Sequence, residues 1–359
     1  MTFSERVLSL TQDKLLPKVT DNVLNSNVVA LRLMGNAKKG VGESIKKAIK
    51  YQSSSTAVAF SALDTFSASQ LTTKVRMSYD MRANRIPVAV GGMEAVANGV
   101  SETQVTDMVI EALEECEAEL VDFVGDQIYG DGTGSGNKEF IGLDAIVDDG
   151  TSVGTIGGLS RTTYPVLNST RTASGGTLTL TKLATLYSAI SSGGLKSSPS
   201  LTPVTETIFD LYESLLSPTV RESYSAEGYY SVGKEGKATR VAALSGRAGF
   251  DALSYRGIPL VRDEKATSQT LWMLNENTID WYGWDASGKV PGYSKISLGQ
   301  STVEGTYNDA PMSQFSGFNW SGWIKPSNQF AMVGEVIILG NMVSFEPRRN
   351  GRLTGITGV

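Results

Sequence analysis

Ser101 to Gly136 reads SETQVTDMVIEALEECEAELVDFVGDQIYGDGTGSG, and this stretch decides the fold. Ser101 with Gln104 makes a capping box, each side chain able to take up a free backbone N–H of a first helical turn. Apolar residues then recur at Val105, Met108, Val109, Ala112, Leu113, Cys116, Leu120, Phe123, Val124 and Ile128, a helical spacing that buries one stripe along the whole length. Gly130 and the glycine-rich run behind it stop the helix. At 1.5 Å per residue it would span roughly 40 Å, longer than a small domain is wide, so it reads as a spine.

The opposite face carries Glu102, Asp107, Glu111, Glu114, Glu115, Glu117, Glu119, Asp122 and Asp126, with no Lys or Arg among them. Without opposite charges at i+4, these carboxylates repel one another and cost helix stability. Two readings stand side by side: a solvated face, or a face covered by a basic surface, such as one on another copy of the chain.

The remaining composition narrows function by exclusion. In 359 residues, 40% hydrophobic and 19% charged, there is material for two or three packed units. No run approaches the ~20 apolar residues of a membrane span, so no membrane partner is expected. The start, MTFSERVLSL, lacks the pattern of a signal peptide, and the product is expected to stay in the cytosol where it is made. The one cysteine, Cys116, lies on the apolar stripe and reads as a small buried hydrophobe. Histidine is absent, which removes Ser-His-Asp and Cys-His catalysis and most zinc sites. GDGTGSGNK (Gly130 to Lys138) misses the Walker pattern because Asn137 stands where the glycine before Lys belongs. It fails as a calcium loop too, with Ile128 at the third ligand position counted from Asp126. No enzyme, cofactor or metal site is expected.

Charge changes sign along the chain. Residues 1–100 hold 13 Lys and Arg against 7 Asp and Glu, and the remainder holds 19 against 30. The positives, among them Lys46, Lys47, Lys50, Lys74, Arg76, Arg82 and Arg85, are scattered without the dense patch of a sequence-specific nucleic-acid binder. They read as contacts to acidic protein.

Glu43 to Gln52 and Thr72 to Val90 have strand character, and between them lie Phe60, Leu63, Phe66 and Leu71 with little to bury them. A long two-stranded excursion is marginal alone in water and asks for a partner surface. Further on, Leu183, Leu186, Tyr187 and Ile190 mark a short helix, followed by the breaker SSGGLKSSPS, and a second domain starts near there. Thr207 is expected to cap a helix bearing Ile208, Leu211, Tyr212, Leu215 and Leu216. YRGIPLVRD (Tyr255 to Asp263) reads as a strand, QTLWMLNENTIDWYGW as strands with a turn at Asn275 to Asn277, and the C-terminal segment as paired strands about Gly340 and Asn341.

The order of these elements resembles the HK97-like major capsid proteins of tailed bacteriophages. The residues that carry the resemblance are IPVAVGGMEAVANG (Ile86 to Gly99), the spine and its exit IYGDGTGSGNKEFIGLDAIVDD, then IGGLSRTTYP, YRGIPLVRDE, LWMLNENTIDW and NQFAMVGEVIILGNMVSFEPRRNGRLTGI. It covers nearly the whole chain from about residue 40, by order rather than by any single sharp motif. The fold it implies is α+β: an N-terminal arm (1–42), an E-loop hairpin and its return (43–100), spine helix and P domain (101–195), an A domain (196–325), and C-terminal strands returning to the P domain (326–359).

The resemblance implies a structural role: hexamers and pentamers of the chain close an icosahedral shell around double-stranded DNA, held without sequence specificity. The expected location is the virion, after assembly in the host cytoplasm. Expected partners are further copies of the chain, a portal protein, a separate scaffolding protein and a decoration protein. The separate scaffold follows from the ~42 residues ahead of Glu43, too few for a folded scaffold domain. No Lys-to-Asn cross-link is expected, because Ser53 to Gln70 holds no lysine. Encapsulin compartments share the fold and supply the alternative function. Expected inter-subunit contacts are Lys46, Lys47, Lys50, Phe60, Leu63, Phe66, Arg76 and Arg82 on the hairpin side, and Glu111, Glu114, Glu115 and Asp122 on the spine.

Overall fold

The computed structural model describes residues 27–53, 59–62, 64–65, 71–97, 115–116, 119–120, 122–191, 198–216, 252–284, 294–295 and 318–358. In chain order its strands are β1 (Lys38–Lys39), β2 (Ser44–Lys50), β3 (Lys74–Asp80), β4 (Arg82–Gly91), β5 (Thr155–Ile156), β6 (Leu159–Ser160), β7 (Thr170–Thr172), β8 (Gly176–Thr177), β9 (Thr202–Val204), β10 (Ala252–Tyr255), β11 (Ile258–Arg262), β12 (Leu271–Met273), β13 (Ile279–Gly283), β14 (Ser294–Lys295), β15 (Phe318–Trp320), β16 (Ala331–Ser344), β17 (Gly351–Leu353) and β18 (Ile356–Thr357).

β16 organises the main sheet. Its 14 residues alternate buried and half-buried positions over most of their length, the period of a strand with one face on the core. It pairs antiparallel with β4 along 331–340, with β15 at 336–338, and with β13 at 340–344. The chain therefore does not turn at Gly340 and Asn341 as expected; one strand runs straight through both. The glycine serves packing instead, because a Cβ on Gly340 would run into the Trp281 indole and the Tyr282 carbonyl. Asn341, fully buried, spends its side chain on other segments: Oδ1 accepts from Ile141 N at 3.0 Å, and Nδ2 donates to Asp80 O at 2.7 Å.

The segment expected as one strand from Thr72 to Val90 breaks at Met81. Before the break, β3 pairs with β2 in register from Ser44↔Asp80 to Lys50↔Lys74; after it, β4 joins β16. YRGIPLVRD is likewise a hairpin, β10 to β11, turning at Arg256 and Gly257, whose φ of 50° and 78° match a two-residue primed turn. The turn at Asn275 stands as expected: its Oδ1 accepts from Asn277 N at the head of a short 3-10 helix, Glu276–Thr278.

The acidic helix is described at 115–116, 119–120 and 122–129 and ends at Gly130 as expected, while its capped start, 101–114, lies outside the described residues. Cys116, Leu120, Val124 and Ile128 are buried at four-residue spacing. Phe123 is an exception, since it lies off that row and is 41% exposed. Helix Leu180–Ile190 has Thr179 as its cap, accepting from Lys182 N, and buries Leu183, Leu186 and Ile190. Helix Glu206–Leu215 has its cap two residues earlier than expected, at Thr205 rather than Thr207, and the Thr205 side chain makes no capping hydrogen bond. It buries Phe209 besides Ile208 and Tyr212.

Two apolar cores result. The larger joins the acidic helix, the inner faces of β3, β4, β13 and β16, and the N-terminal helix Val28–Gly35. The second lies between helices Leu180–Ile190 and Glu206–Leu215, β11, β12 and the C-terminal strands. Residues 28–34, expected within the arm, are core: Val28, Val29, Ala30, Leu33 and Met34 are all buried. Asp263 accepts from Val29 N at 3.0 Å, and Arg32 grips Glu276 with Nε and Nη2 at 2.6 and 2.8 Å.

Candidate inter-subunit surface

The hairpin β2–β3 has two unlike faces. Alternation puts Ile45, Lys47 and Ile49 with Val75, Met77 and Tyr79 on one side, and Lys46, Ala48 and Lys50 with Lys74, Arg76 and Ser78 on the other. The first side packs on its own chain: Met77 and Tyr79 are fully buried, Tyr79 donates its hydroxyl to Ser344 O at 2.5 Å, and the Lys47 ammonium sits 4.9 Å from the Phe345 ring centre. Burial pushes the Tyr79 phenol far above its ordinary pKa, so it is a permanent donor. The base of the hairpin thus supplies core residues. That differs from the expected free excursion, because the β5–β6 turn at Gly157 closes over Met77 and Tyr79.

The second side is a cationic ladder. Lys50 and Lys74 stand directly opposite each other, with Arg76 and Lys46 on the next rungs, all four exposed and in no ion pair among the described residues. Like charges directly opposite destabilise a strand pair, a cost the fold leaves uncompensated within the described chain. Beyond the strands, Phe60 is 69% exposed and Leu71 39% exposed. Leu63 and Phe66 lie outside the described residues, as do Glu111 and Glu114.

Three other expected contacts are occupied within the chain. Arg82 turns inward and donates from Nη1 to Gly132 O at 2.7 Å and to Glu139 O, tying β4 to the loop that follows the acidic helix. Lys47 faces Phe345. Asp122 meets Lys265, whose Nζ lies 2.7 Å from Asp122 and 3.0 Å from Asp126, so the last turns of the acidic face find their cation in cis. Glu119 and Glu115, one and two turns earlier, are exposed and in no ion pair among the described residues. Among the described residues, Lys46, Lys50, Lys74 and Arg76 on the hairpin and Glu115 and Glu119 on the acidic helix thus belong to the exposed charges that no ion pair holds.

Sequence patterning missed a buried ionic hub. Asp148 accepts from the N–H of Gly150, Ser152 and Val153 on Oδ2 and from Arg171 and Arg352 on Oδ1. Burial pushes its pKa up, but the three backbone donors and the Arg352 charge outweigh that and hold it below the ordinary value. Arg161, 1% exposed, donates to the carbonyls of Ala145, Ile146, Asp148 and Leu167. The partners lie up to 204 positions apart, beyond any spacing rule. Among the described residues, no group of His, Cys, Asp or Glu has metal-site geometry, and no helix is long and apolar enough to cross a membrane.

No family model and no curated protein matches the chain. Solved structures do. A subunit from the cyanophage A-1(L) capsid asymmetric unit is similar over 97% of this chain and 98% of its own, with a TM-score of 0.70 at 16% identity. The capsid of Myoviridae phage XM1 is similar over 99% of both chains, with a TM-score of 0.53 at 12% identity. The SrpI encapsulin of Synechococcus elongatus PCC 7942 is similar over 98% of this chain and 95% of its own, with a TM-score of 0.55 at 11% identity. At these identities the likeness is one of fold, and it spans the chain from end to end: this protein has the fold shared by phage capsid subunits and an encapsulin shell protein.

Proposed function

We propose that this chain is the major capsid protein of a tailed bacteriophage, assembling as hexamers and pentamers into an icosahedral shell around double-stranded DNA. The observation that carries this reading is the end-to-end match to the cyanophage capsid subunit at a TM-score of 0.70, higher than the 0.55 of the encapsulin. Heterologous contacts repeated around a rotation close into rings, the geometry such a shell needs. In this reading the outer ladder of the hairpin, Lys46, Lys50, Lys74 and Arg76, lies on the acidic helix of a neighbour near Glu111, Glu114, Glu115 and Glu119. Phe60, Leu63 and Phe66 bury there as well. The net charge of −5 suits a lining that surrounds DNA without gripping it, since tight phosphate contact needs clustered cations. Portal, scaffolding and decoration proteins complete the partners, with assembly in the host cytoplasm.

The encapsulin match supports a second reading, a compartment shell with protein cargo. The contents of the particles separate the two. Particles isolated from the cells that produce them are treated with nuclease and opened. Protected double-stranded DNA of uniform length is the expected result. DNA-free particles with one stoichiometric co-purifying enzyme establish the compartment instead, and a chain found in no particle at all overturns both.

A further inference from the structure

β4 is an edge strand of the main sheet. Among the described residues it pairs only with β16, residue for residue from Arg82↔Gly340 to Gly91↔Ala331, without a bulge. In an antiparallel pair, residues alternate between bonding the partner and pointing their N–H and C=O away from it. Hydrogen bonds on the other side of β16 fix which residues do which. Val333 exchanges both backbone bonds with Ile324, at 2.8 and 2.9 Å; Glu335 O accepts from Ser321 N at 3.1 Å, and Leu339 O accepts from Trp284 N at 2.9 Å. These three residues face away from β4, so the residues opposite them, Ala89, Pro87 and Ala83, turn their own backbone groups outward. Gly92 agrees: one step on in the same register, its N–H donates inward to Phe330 O at 2.9 Å.

Ala83, Arg85, Pro87, Ala89 and Gly91 therefore line an outer edge roughly 27 Å long. Such an edge is a template for pairing with another chain, and folded proteins blunt it with short strands, bulges, charges, proline or a covering segment. β4 has 10 residues and no bulge. Its one outward charge, Arg85, is matched by Glu335 at 3.2 Å, while Ala83 and Ala89 are small and exposed. Pro87, exposed at the middle of the strand, is what remains. Its ring stands where an outward N–H would be, and it removes no bond to β16. Were two copies to pair antiparallel about a two-fold axis through position 87, the two prolines would face each other, and the central pair of bonds could not form.

We propose that Pro87 guards this edge: it keeps the main sheet of one subunit from pairing, edge to edge, with that of a second copy. The inference concerns the unassembled chain and holds whether or not that chain goes on to build a shell. Sedimentation velocity over a dilution series compares the parent with Pro87→Val. Valine supplies an outward N–H and a strand-favouring side chain and leaves the ladder to β16 intact, so circular dichroism and melting temperature should match the parent. The variant should form dimers or larger open species at a concentration about tenfold lower than the parent, because the two central hydrogen bonds are restored. Hydrogen exchange should show the amides of Arg85 and Ala89 gaining protection as it does so. Adding Ala89→Pro moves the ring to another outward position and should return the chain to the parent's behaviour. Closed shells sediment far faster than dimers and are scored apart, so a failure of the shell reading leaves this comparison intact. Should Pro87→Val fail to fold, Pro87→Ala, which restores the same N–H, decides alone. A folded variant that associates no more readily than the parent overturns the proposal, as does association that leaves Arg85 and Ala89 unprotected.

Discussion

Arg352 donates from Nη2 to Oδ1 of Asp148 at 3.0 Å, with both side chains withdrawn from solvent and the guanidinium stacked 5.3 Å from the Trp272 ring centre. The pair joins β17, near the C-terminus, to the loop that follows the acidic helix and its exit. Removing one partner of a buried pair strands the other charge, which costs far more than the pair itself is worth. Asp148→Asn should therefore destabilise the monomer by about 1–3 kcal/mol in urea unfolding, because Arg352 and Arg171 lose this carboxylate and keep only Asp144 and Asp149. A loss below about 1 kcal/mol would show that water or another carboxylate compensates.

The same residue sets part of the pH dependence. The folded chain holds Asp148 below its ordinary pKa, so the unfolded chain binds more protons, and the stability it contributes is present above that ordinary value and lost as pH falls through the folded one. Asp144 and Asp263 work in the opposite sense. Burial raises both, although Arg352 pulls Asp144 down and the N–H groups of Val29 and Lys265 pull Asp263 down, and their protonation favours the folded state. The gap in melting temperature between the parent and Asp148→Asn should shrink below about pH 4. A gap that holds constant from pH 7 to pH 3 contradicts this assignment.

At Gly340 the prediction concerns volume. A methyl group there meets the Trp281 ring and the Tyr282 carbonyl, and Trp281 is itself fixed edge-on by Phe140 at 5.0 Å between ring centres. Gly340→Ala should cost about 1–3 kcal/mol through overpacking, read as a lower urea midpoint at unchanged slope. Equal stability would mean that the indole moves aside.

The exposed end of the hairpin should behave the other way round. Phe60 is 69% exposed, so Phe60→Ser should change monomer stability by no more than about 0.5 kcal/mol. Lys46→Glu with Arg76→Glu should leave it equally untouched. Each should nonetheless delay particle formation followed by light scattering, and the charge effect should fade with added salt, since exposed charges are screened beyond roughly 8 Å at physiological ionic strength. Normal assembly of both variants would remove this face from the subunit contact.

What was legible in the sequence follows the range of the physics involved. The row Cys116, Leu120, Val124 and Ile128, the stop at Gly130, the helix Leu180–Ile190 and the turn at Asn275 are set by neighbours a few residues away, and each stands as read. Phe123 fits the stripe by helical periodicity yet is exposed, because periodicity counts hydrophobicity without knowing what lies opposite. The break at Met81 and the unbroken run through Gly340 depend on β16 and Trp281, which no local pattern reveals. Arg82 and Asp122 carried the right charge for a partner, yet the loop carbonyls at Gly132 and Glu139 and the Lys265 ammonium meet them within the chain. The Asp148 hub draws on residues from four separate segments and left no trace in spacing.

Cryo-electron microscopy of the purified, assembled chain tests the central claim most directly. The expected result is closed icosahedral shells built of pentamers and hexamers, with each hairpin lying over the acidic helix of the next subunit and Lys46, Lys50, Lys74 and Arg76 within ion-pair distance of its carboxylates. A chain that stays monomeric under every assembly condition, or shells in which the hairpin touches only its own subunit, would contradict it.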